Sequence, residues 1–250
     1  MGEAATRQAS STGVPATGLW RVGVLAFGTF VLGTDGYVIA GILPRVAAGM
    51  SVSVATAGQL VTVFALAYSL GSPLVAVATG RWARRRLLLA ALGVFAGANM
   101  AAAVAPNVTV LALARVLAAL GAAGYTPVAA VAAASLVAPQ RRGRALAVVT
   151  TGMTMAILAG VPVGALVGGI FGWRATFALI TVLAVLAGAA LLLWLPALPP
   201  VPPVGLRARL SLLADRCLAV LLAVTAAALT GGMSVYTYLL VVLAPLHLGA

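Results

Sequence analysis

The sequence predicts an all-α polytopic membrane protein: a six-helix bundle followed by a seventh transmembrane helix. Two observations indicate this fold class. Hydrophobic residues make up 63% of the 250 residues and charged residues only 7%, whereas a soluble domain carries about 25% charged residues. The apolar residues also lie in seven long runs, and a helix needs about 20 such residues to cross the hydrocarbon core of a membrane.

Prolines, polar residues and arginines bound the predicted spans. The first 18 residues are small and polar, and we expect them to form a disordered cytoplasmic N-terminus, because the apolar run that follows is too long for a signal peptide. Pro44 is expected to end the first span and Pro196 the sixth. The spans are predicted at residues 19–43, 54–79, 87–105, 108–137, 145–171, 175–195 and 218–243.

The arginines indicate the orientation of the chain. All 15 basic residues are arginine, against 3 acidic residues, and the formal net charge is +12. With the N-terminus inside, twelve arginines fall on cytoplasmic segments and two, Arg45 and Arg174, on outer ones, as the positive-inside rule requires. This distribution is typical of a membrane protein and argues against nucleic-acid binding. We therefore expect a multi-pass protein of the cell inner (plasma) membrane with a cytoplasmic N-terminus.

A proline-rich break divides the predicted helices. Residues 196–203 contain five prolines, and arginines follow them, which favours an extended and semi-rigid cytoplasmic linker. The predicted domain organisation is an N-terminal segment, a six-helix transmembrane half, a linker and the first helix of an incomplete second half. These parts cover residues 1–18, 19–195, 196–216 and 217–250.

Two ionisable side chains fall inside predicted spans, where a charge is expensive and marks a functional site by default. Asp35 lies roughly 24 Å into the first span, and Arg115 of the fourth span lies about 20 Å from the same membrane face. Their similar depth allows a pair across the bundle. We predict a proton-coupling site in which protonation of Asp35, modulated by Arg115, biases a two-state bundle. The alternative is a structural ion pair that holds spans one and four together.

Small residues recur every four positions in the fifth span, at Gly152, Ala156, Gly160, Gly164 and Gly168. This spacing places them in one row on one helix face, where helix backbones approach closely. Pro162 lies within the row and removes a backbone hydrogen bond. The row predicts tight packing, and it leaves open whether this face is also a hinge or a sliding seam.

Aromatic and amide side chains inside the spans are candidates for lining a substrate cavity. The alternative is contact with lipid or with neighbouring helices. The candidates are Tyr37, Gln59, Phe64, Asn99 and Tyr125. One cysteine and one histidine offer no metal site or catalytic constellation, and the sequence contains no glycine–lysine loop for ATP. We therefore expect neither an enzyme nor a bound cofactor.

Four stretches together form a recognisable pattern. They are residues 32–44 around Asp35, Gly80-Arg81-Trp82-Ala83-Arg84-Arg85-Arg86 after the second span, Arg115 followed by Gly121, and Gly160-Val161-Pro162-Val163-Gly164 in the fifth span. In this pattern the chain resembles the major facilitator superfamily, and within it the bacterial drug–proton antiporters of the sugar-efflux and chloramphenicol-resistance type. The resemblance implies that Arg81, Arg84, Arg85, Gly160, Pro162 and Gly164 belong to motifs that govern conformational change. Gly80 departs from the usual pattern, in which an aspartate precedes the first arginine.

The resemblance also implies twelve spans in two halves with the substrate bound between them, so that this chain would hold the first half and one span of the second. It implies a secondary transporter that exports small apolar compounds or drugs in exchange for protons, by alternating access, and thereby contributes to multidrug resistance. A sugar or amino-acid efflux carrier and a non-transporting truncated half are the alternatives. The expected partners are a small-molecule substrate, protons, the lipid bilayer and a missing C-terminal half, and no nucleic acid.

Overall fold

The computed structural model describes residues 19–196, 198 and 215–243. The predicted N-terminal segment, residues 1–18, and most of the predicted linker lie outside these residues. The described residues contain helices and no strand. The chain divides into two compact units, Met1–Val201 and Pro202–Ala250. Among the described residues, seven α-helices belong to the first unit and one to the second.

The helices follow the apolar runs of the sequence. They are α1 (Leu19–Met50), α2 (Val54–Ala78), α3 (Arg84–Ala103), α4 (Val108–Ser135), α5 (Arg142–Met155), α6 (Val161–Phe171), α7 (Trp173–Trp194) and α8 (Arg216–Leu243). A π-helical turn, Ala156–Gly160, joins α5 to α6, so that both belong to one span, Pro139–Phe171. Within the described residues, 6 helical segments have the length and composition to cross a membrane, which confirms the predicted six-span bundle. The 28-residue helix α8 lies at the position of the predicted seventh span.

The prediction that Pro44 ends the first span is wrong, because α1 continues through it to Met50. A proline deprives a helix of one backbone donor, and packing offsets that loss here. Val46 and Ala47 are buried, and Gly49 lies against the indole of Trp173 from α7. The helix ends at Met50, and the next residue, Ser51, has a φ of 54° in the left-handed region.

The row of small residues on α5 and α6 packs along α1. A Cβ atom at Gly152 would overlap the carbonyl oxygen of Ala26, and one at Gly160 would overlap the hydroxyl of Thr34. The next two glycines meet the next two turns of α1. Cβ atoms there would lie 2.7 Å from Val38 Cγ2 and 2.9 Å from Ile42 Cγ2. Both helices advance by four residues per contact in the same direction, so they run parallel, and the absence of side chains lets their backbones approach closely.

The N-terminal half of α1 is also held by α4. Tyr125 is buried, and its hydroxyl donates a hydrogen bond to the carbonyl oxygen of Leu25 over 3.1 Å. The ring passes over Gly28, where a Cβ atom would overlap the tyrosine hydroxyl. On its other side α4 packs against α3, with Gly121 close to the backbone of Ala91 and Phe95. Helix α4 is therefore fixed between α1 and α3, and its side chains enter the interior of the bundle.

We expect Gly152→Ala to lower the thermal stability of the bundle, because the added methyl group would meet the backbone of Ala26, which cannot rotate away. Overpacking of this kind costs about 1–3 kcal/mol and outweighs the gain of about 1 kcal/mol in helix propensity. The matched control is Gly188→Ala on α7, where a Cβ atom meets nothing within 4 Å. Thermal unfolding in detergent, followed by size-exclusion chromatography, measures both variants. Equal melting temperatures would contradict the packing described for the row.

Candidate functional site

Asp35 on α1 and Arg115 on α4 form an ion pair inside the bundle. One guanidinium nitrogen, Arg115 Nη1, donates to both carboxylate oxygens, over 2.7 Å to Oδ1 and 2.8 Å to Oδ2. The side chains are 0% and 1% exposed. Charged groups so completely removed from water are found almost always in pairs. This contact joins two helices through residues that are 80 positions apart in the sequence.

Aromatic rings cover the rest of the guanidinium group. Its central carbon lies 4.3 Å from the ring centroid of Phe64 on α2 and 6.0 Å from that of Phe177 on α7. The face of an aromatic ring attracts a cation at such distances. Side chains from three helices, α1, α2 and α7, therefore surround the guanidinium group that α4 supplies.

The guanidinium group uses only part of its hydrogen-bonding capacity. Nε and Nη2 of Arg115 are buried and make no hydrogen bond to another protein group, although arginine carries five N–H donors. An ion pair that shared two arginine nitrogens with the two carboxylate oxygens would be more strongly held. The observed geometry leaves donors free for a second acceptor.

Local structure explains why both charges reach the same depth. Helix α4 begins at Val108 after Asn107, whose side chain accepts a hydrogen bond from Val110 N over 2.9 Å. This cap fixes the start of the helix, and Arg115 follows two turns later. On α1, the hydroxyl of Thr34 donates a hydrogen bond back to Phe30 O over 2.8 Å, and Asp35 is the next residue.

The predicted cavity residues do not all lie together. Phe64 contacts Arg115, and Tyr125 and Asn99 are buried in the packed interior. Asn99 Nδ2 donates to Phe95 O over 3.0 Å, while its Oδ1 has no protein donor. Tyr37 is half-buried, and Gln59 is exposed on α2.

A groove of about 350 Å³ lies between α1 and α5, and its lining residues do not include the five cavity candidates named from the sequence. Its walls include Phe27 and Phe30 from α1, and Val148, Thr151 and Met155 from α5. The sequence did hold a signal for this groove. Thr151 and Met155 come directly before Gly152 and Ala156 of the row of small residues, so they lie beside that row on the same helix. This groove is largely apolar, with one hydroxyl side chain.

The residues of the predicted conformational motifs take separate positions. Arg84 Nη1 donates to Ser135 Oγ over 3.0 Å, Arg85 Nη2 donates to the carbonyl oxygen of Leu192, and Arg81 is exposed. The glycines of the fifth-span motif contact α1, as described above, and Pro162 lies in the first turn of α6, directly after the π-helical turn. π-Helical turns occur frequently at functional positions.

Among the described residues, no group of three His, Cys, Asp or Glu side chains could hold a metal ion.

Comparison with known proteins relates this arrangement to a family. Residues 25–249 match the Major Facilitator Superfamily. The chain is 34% identical over 220 residues to YbcL, an MFS-type transporter of Bacillus subtilis (strain 168), covering 88% of this chain and 56% of that protein. It is 41% identical over 174 residues to a chloramphenicol resistance protein of Streptomyces lividans, covering 70% of this chain and 44% of that protein.

A solved structure agrees on the fold. The peptide transporter POT, in complex with sulfate, superposes with a TM-score of 0.66 at 16% identity, covering 90% of this chain and 46% of the transporter. The chain thus spans about half the length of the proteins it matches. Its fold and its relatives are those of a membrane transporter family and not of an enzyme family, in agreement with the sequence prediction. The chain belongs to the major facilitator superfamily.

Proposed function

We propose that the chain forms the N-terminal half of a proton-coupled exporter of small apolar compounds or drugs that works by alternating access. The observation that carries this proposal is the buried contact between Asp35 and Arg115, which joins α1 to α4 through a single guanidinium nitrogen. A carboxylate at this depth is the one group in the described bundle that can gain and lose a proton and thereby change the net charge of the interior.

Protonation of Asp35 removes one of the two opposite charges. Arg115 then retains the aromatic contact with Phe64 but loses the carboxylate, while its Nε and Nη2 already lack protein acceptors. A guanidinium left without a counter-charge in a low-dielectric interior is strongly destabilised. The protonated bundle therefore favours an arrangement in which α1 and α4 move until Arg115 reaches another acceptor or water, and a two-state bundle is biased accordingly.

The groove between α1 and α5 supports an apolar substrate. Phe27, Phe30 and Met155 offer rings and a flexible thioether, and Thr151 offers one hydroxyl. Pockets of this composition suit apolar ligands, with the few polar groups setting their orientation. A sugar or an amino acid, the alternative substrates, would leave most of its hydroxyl or charged groups without partners there. The Streptomyces lividans relative, named as a chloramphenicol resistance protein, favours the same class of compound.

We propose that α2 and the fifth span face a second six-helix half. In the most apolar 18-residue stretch of each span, only 11% of the residues are buried for α2 and 22% for the fifth span, against 72% for α1. These exposed faces carry large apolar side chains, among them Leu70 and Leu74 on α2 and Leu158 and Leu166 on the fifth span. A non-transporting truncated half is the alternative, and it would leave these faces in contact with lipid.

Asp35→Asn should abolish proton-driven export, because an amide cannot exchange a proton at that position. The measurement is uptake of radiolabelled chloramphenicol into everted membrane vesicles energised by a proton gradient, with the full coding sequence expressed. We expect a loss of at least tenfold, while exchange of labelled for unlabelled compound without a gradient continues. Asp35→Glu should retain part of the driven export.

The matched control is Asp215→Asn. Asp215 is exposed and accepts a hydrogen bond from Cys217 N over 2.9 Å at the start of α8, so its loss should leave the gradient-driven export near the starting level. Unchanged driven export in Asp35→Asn would contradict the assignment of the proton carrier. Absence of any export by the unsubstituted protein, with exchange also absent, would favour the non-transporting alternative.

A pair of neutralising variants separates a coupling site from a purely structural ion pair. Arg115→Gln alone leaves a buried carboxylate unpaired, which costs about 3–5 kcal/mol, and should lower the melting temperature in detergent. The double variant Asp35→Asn with Arg115→Gln removes both charges and should recover most of that stability. If the pair couples proton movement to transport, this stable double variant should still show no gradient-driven export. Recovery of driven export together with stability would identify the pair as structural only.

We further propose that the N-terminus is cytoplasmic and the membrane is the inner (plasma) membrane. In a Cys217→Ala background, Gln140→Cys lies on the loop before α5 and Val104→Cys on the loop after α3; both positions are exposed. A membrane-impermeant maleimide added to intact spheroplasts should label Val104→Cys at once and Gln140→Cys only after permeabilisation. The reverse pattern would overturn the orientation.

A further inference from the structure

A second groove lies at the end of the bundle where α1 begins and α7 ends. It encloses about 360 Å³ and is lined by Trp20, Gly23, Val24, Phe27, Ala190 and Trp194. Trp20 and Trp194 meet edge to face, with their ring centroids 6.2 Å apart, and each is about half exposed. Tryptophan prefers the level of the lipid headgroups, so this groove opens where a headgroup meets its acyl chains.

Two arginines beside the groove have unused donors. The guanidinium carbon of Arg21 lies 5.4 Å from the ring centroid of Trp20, and Arg21 Nε is buried without a protein acceptor. Arg85 Nη2 donates to the carbonyl oxygen of Leu192, between the groove residues Ala190 and Trp194, and Arg85 Nε is also buried without a protein acceptor. Buried donors of this kind require an acceptor.

The local charge favours an anion. The first turn of α1 presents backbone N–H groups that have no partner within the helix, and the helix dipole is positive there. In the described part of the bundle (19–196 and 198) the acidic side chain is Asp35, which lies about 21 Å further along α1 and is paired with Arg115. No carboxylate of this part therefore competes for Arg21 or Arg85.

We propose that this groove binds an anionic phospholipid, whose phosphate accepts hydrogen bonds from Arg21 and Arg85 and whose acyl chain lies along the groove beside the paired rings of Trp20 and Trp194, against Phe27 and Ala190. The apolar lining directly beside the donors selects a lipid over free phosphate, because a soluble anion would gain nothing from the aromatic walls. Basic pockets between transmembrane helices bind anionic headgroups in this manner. The site shares Gly23 and Phe27 with the groove between α1 and α5, but its arginines and tryptophans take no part in the ion pair of Asp35 and Arg115, and its occupancy by lipid is measured without transport.

Lipid carrying bromine on its acyl chain tests the site, because bromine quenches the fluorescence of nearby tryptophan. The purified chain in detergent is titrated with brominated phosphatidylglycerol and, separately, with brominated phosphatidylcholine. We expect saturable quenching at lower concentrations of phosphatidylglycerol. Arg21→Gln should weaken that titration at least fivefold and leave the phosphatidylcholine titration unchanged. Arg86→Gln, an exposed arginine on the same helix end as Arg85, is the matched control and should retain at least half of the affinity.

Gly23→Leu tests the acyl-chain part of the site without changing any charge. A Cβ atom at Gly23 meets nothing within 4 Å, so the leucine fills the groove and the chain should still elute as a single species. We expect it to reduce quenching by phosphatidylglycerol at least fivefold. If Arg21→Gln and Arg86→Gln weakened the binding of phosphatidylglycerol equally, the binding would reflect general charge attraction, and the proposal would be overturned. Competition by inorganic phosphate at concentrations equal to those of the lipid would also overturn it, in favour of a free-anion site.

Discussion

The contact between Asp35 and Arg115 decides how four helices of the bundle meet, because a carboxylate and a guanidinium removed from water are stabilised chiefly by each other. The pair draws α1 and α4 together, and the rings of Phe64 and Phe177 bring α2 and α7 to the same point. In a bilayer the hydrophobic effect does little to select one helix arrangement over another, since lipid tails are as apolar as the side chains. A polar contact and close shape matching must therefore specify the arrangement.

The close shape matching lies on a neighbouring face of α1. There the glycines of the fifth span meet Ala26, Thr34, Val38 and Ile42 in regular steps. Helix α1 is thus held by backbone proximity on one face and by an ion pair on the next. The first contact depends on the absence of side chains and does not respond to protons, whereas the second depends on charge. A change of protonation at Asp35 therefore acts on one flank of α1 while the other stays packed, which concentrates the effect on the contact between α1 and α4.

Some features differ from the predictions because tertiary packing overrides local propensity. A proline inside a helix disrupts one hydrogen bond, and from sequence alone it marks an end. Pro44 lies where α1 packs against α7 through Gly49 and Trp173, so the helix continues. The π-helical turn before Pro162 was not predicted either. The cavity residues were chosen by chemical type, yet Tyr125 serves to hold the backbone of Leu25, and the groove is lined instead by Phe27, Phe30, Val148, Thr151 and Met155.

Composition and spacing along the chain were enough to predict the fold class, the approximate positions of the six spans, the pair of charges at similar depth and the row of small residues. Each of these depends on composition or on spacing along one chain, and the period of the α-helix converts such spacing directly into depth and face. The packed helices were needed to show that a single nitrogen of Arg115 donates to both oxygens of Asp35, that Phe64 and Phe177 cover the guanidinium, and that grooves open beside Phe27. These features depend on the rotation of each helix about its axis, which is set by contacts between residues that lie tens to more than a hundred positions apart.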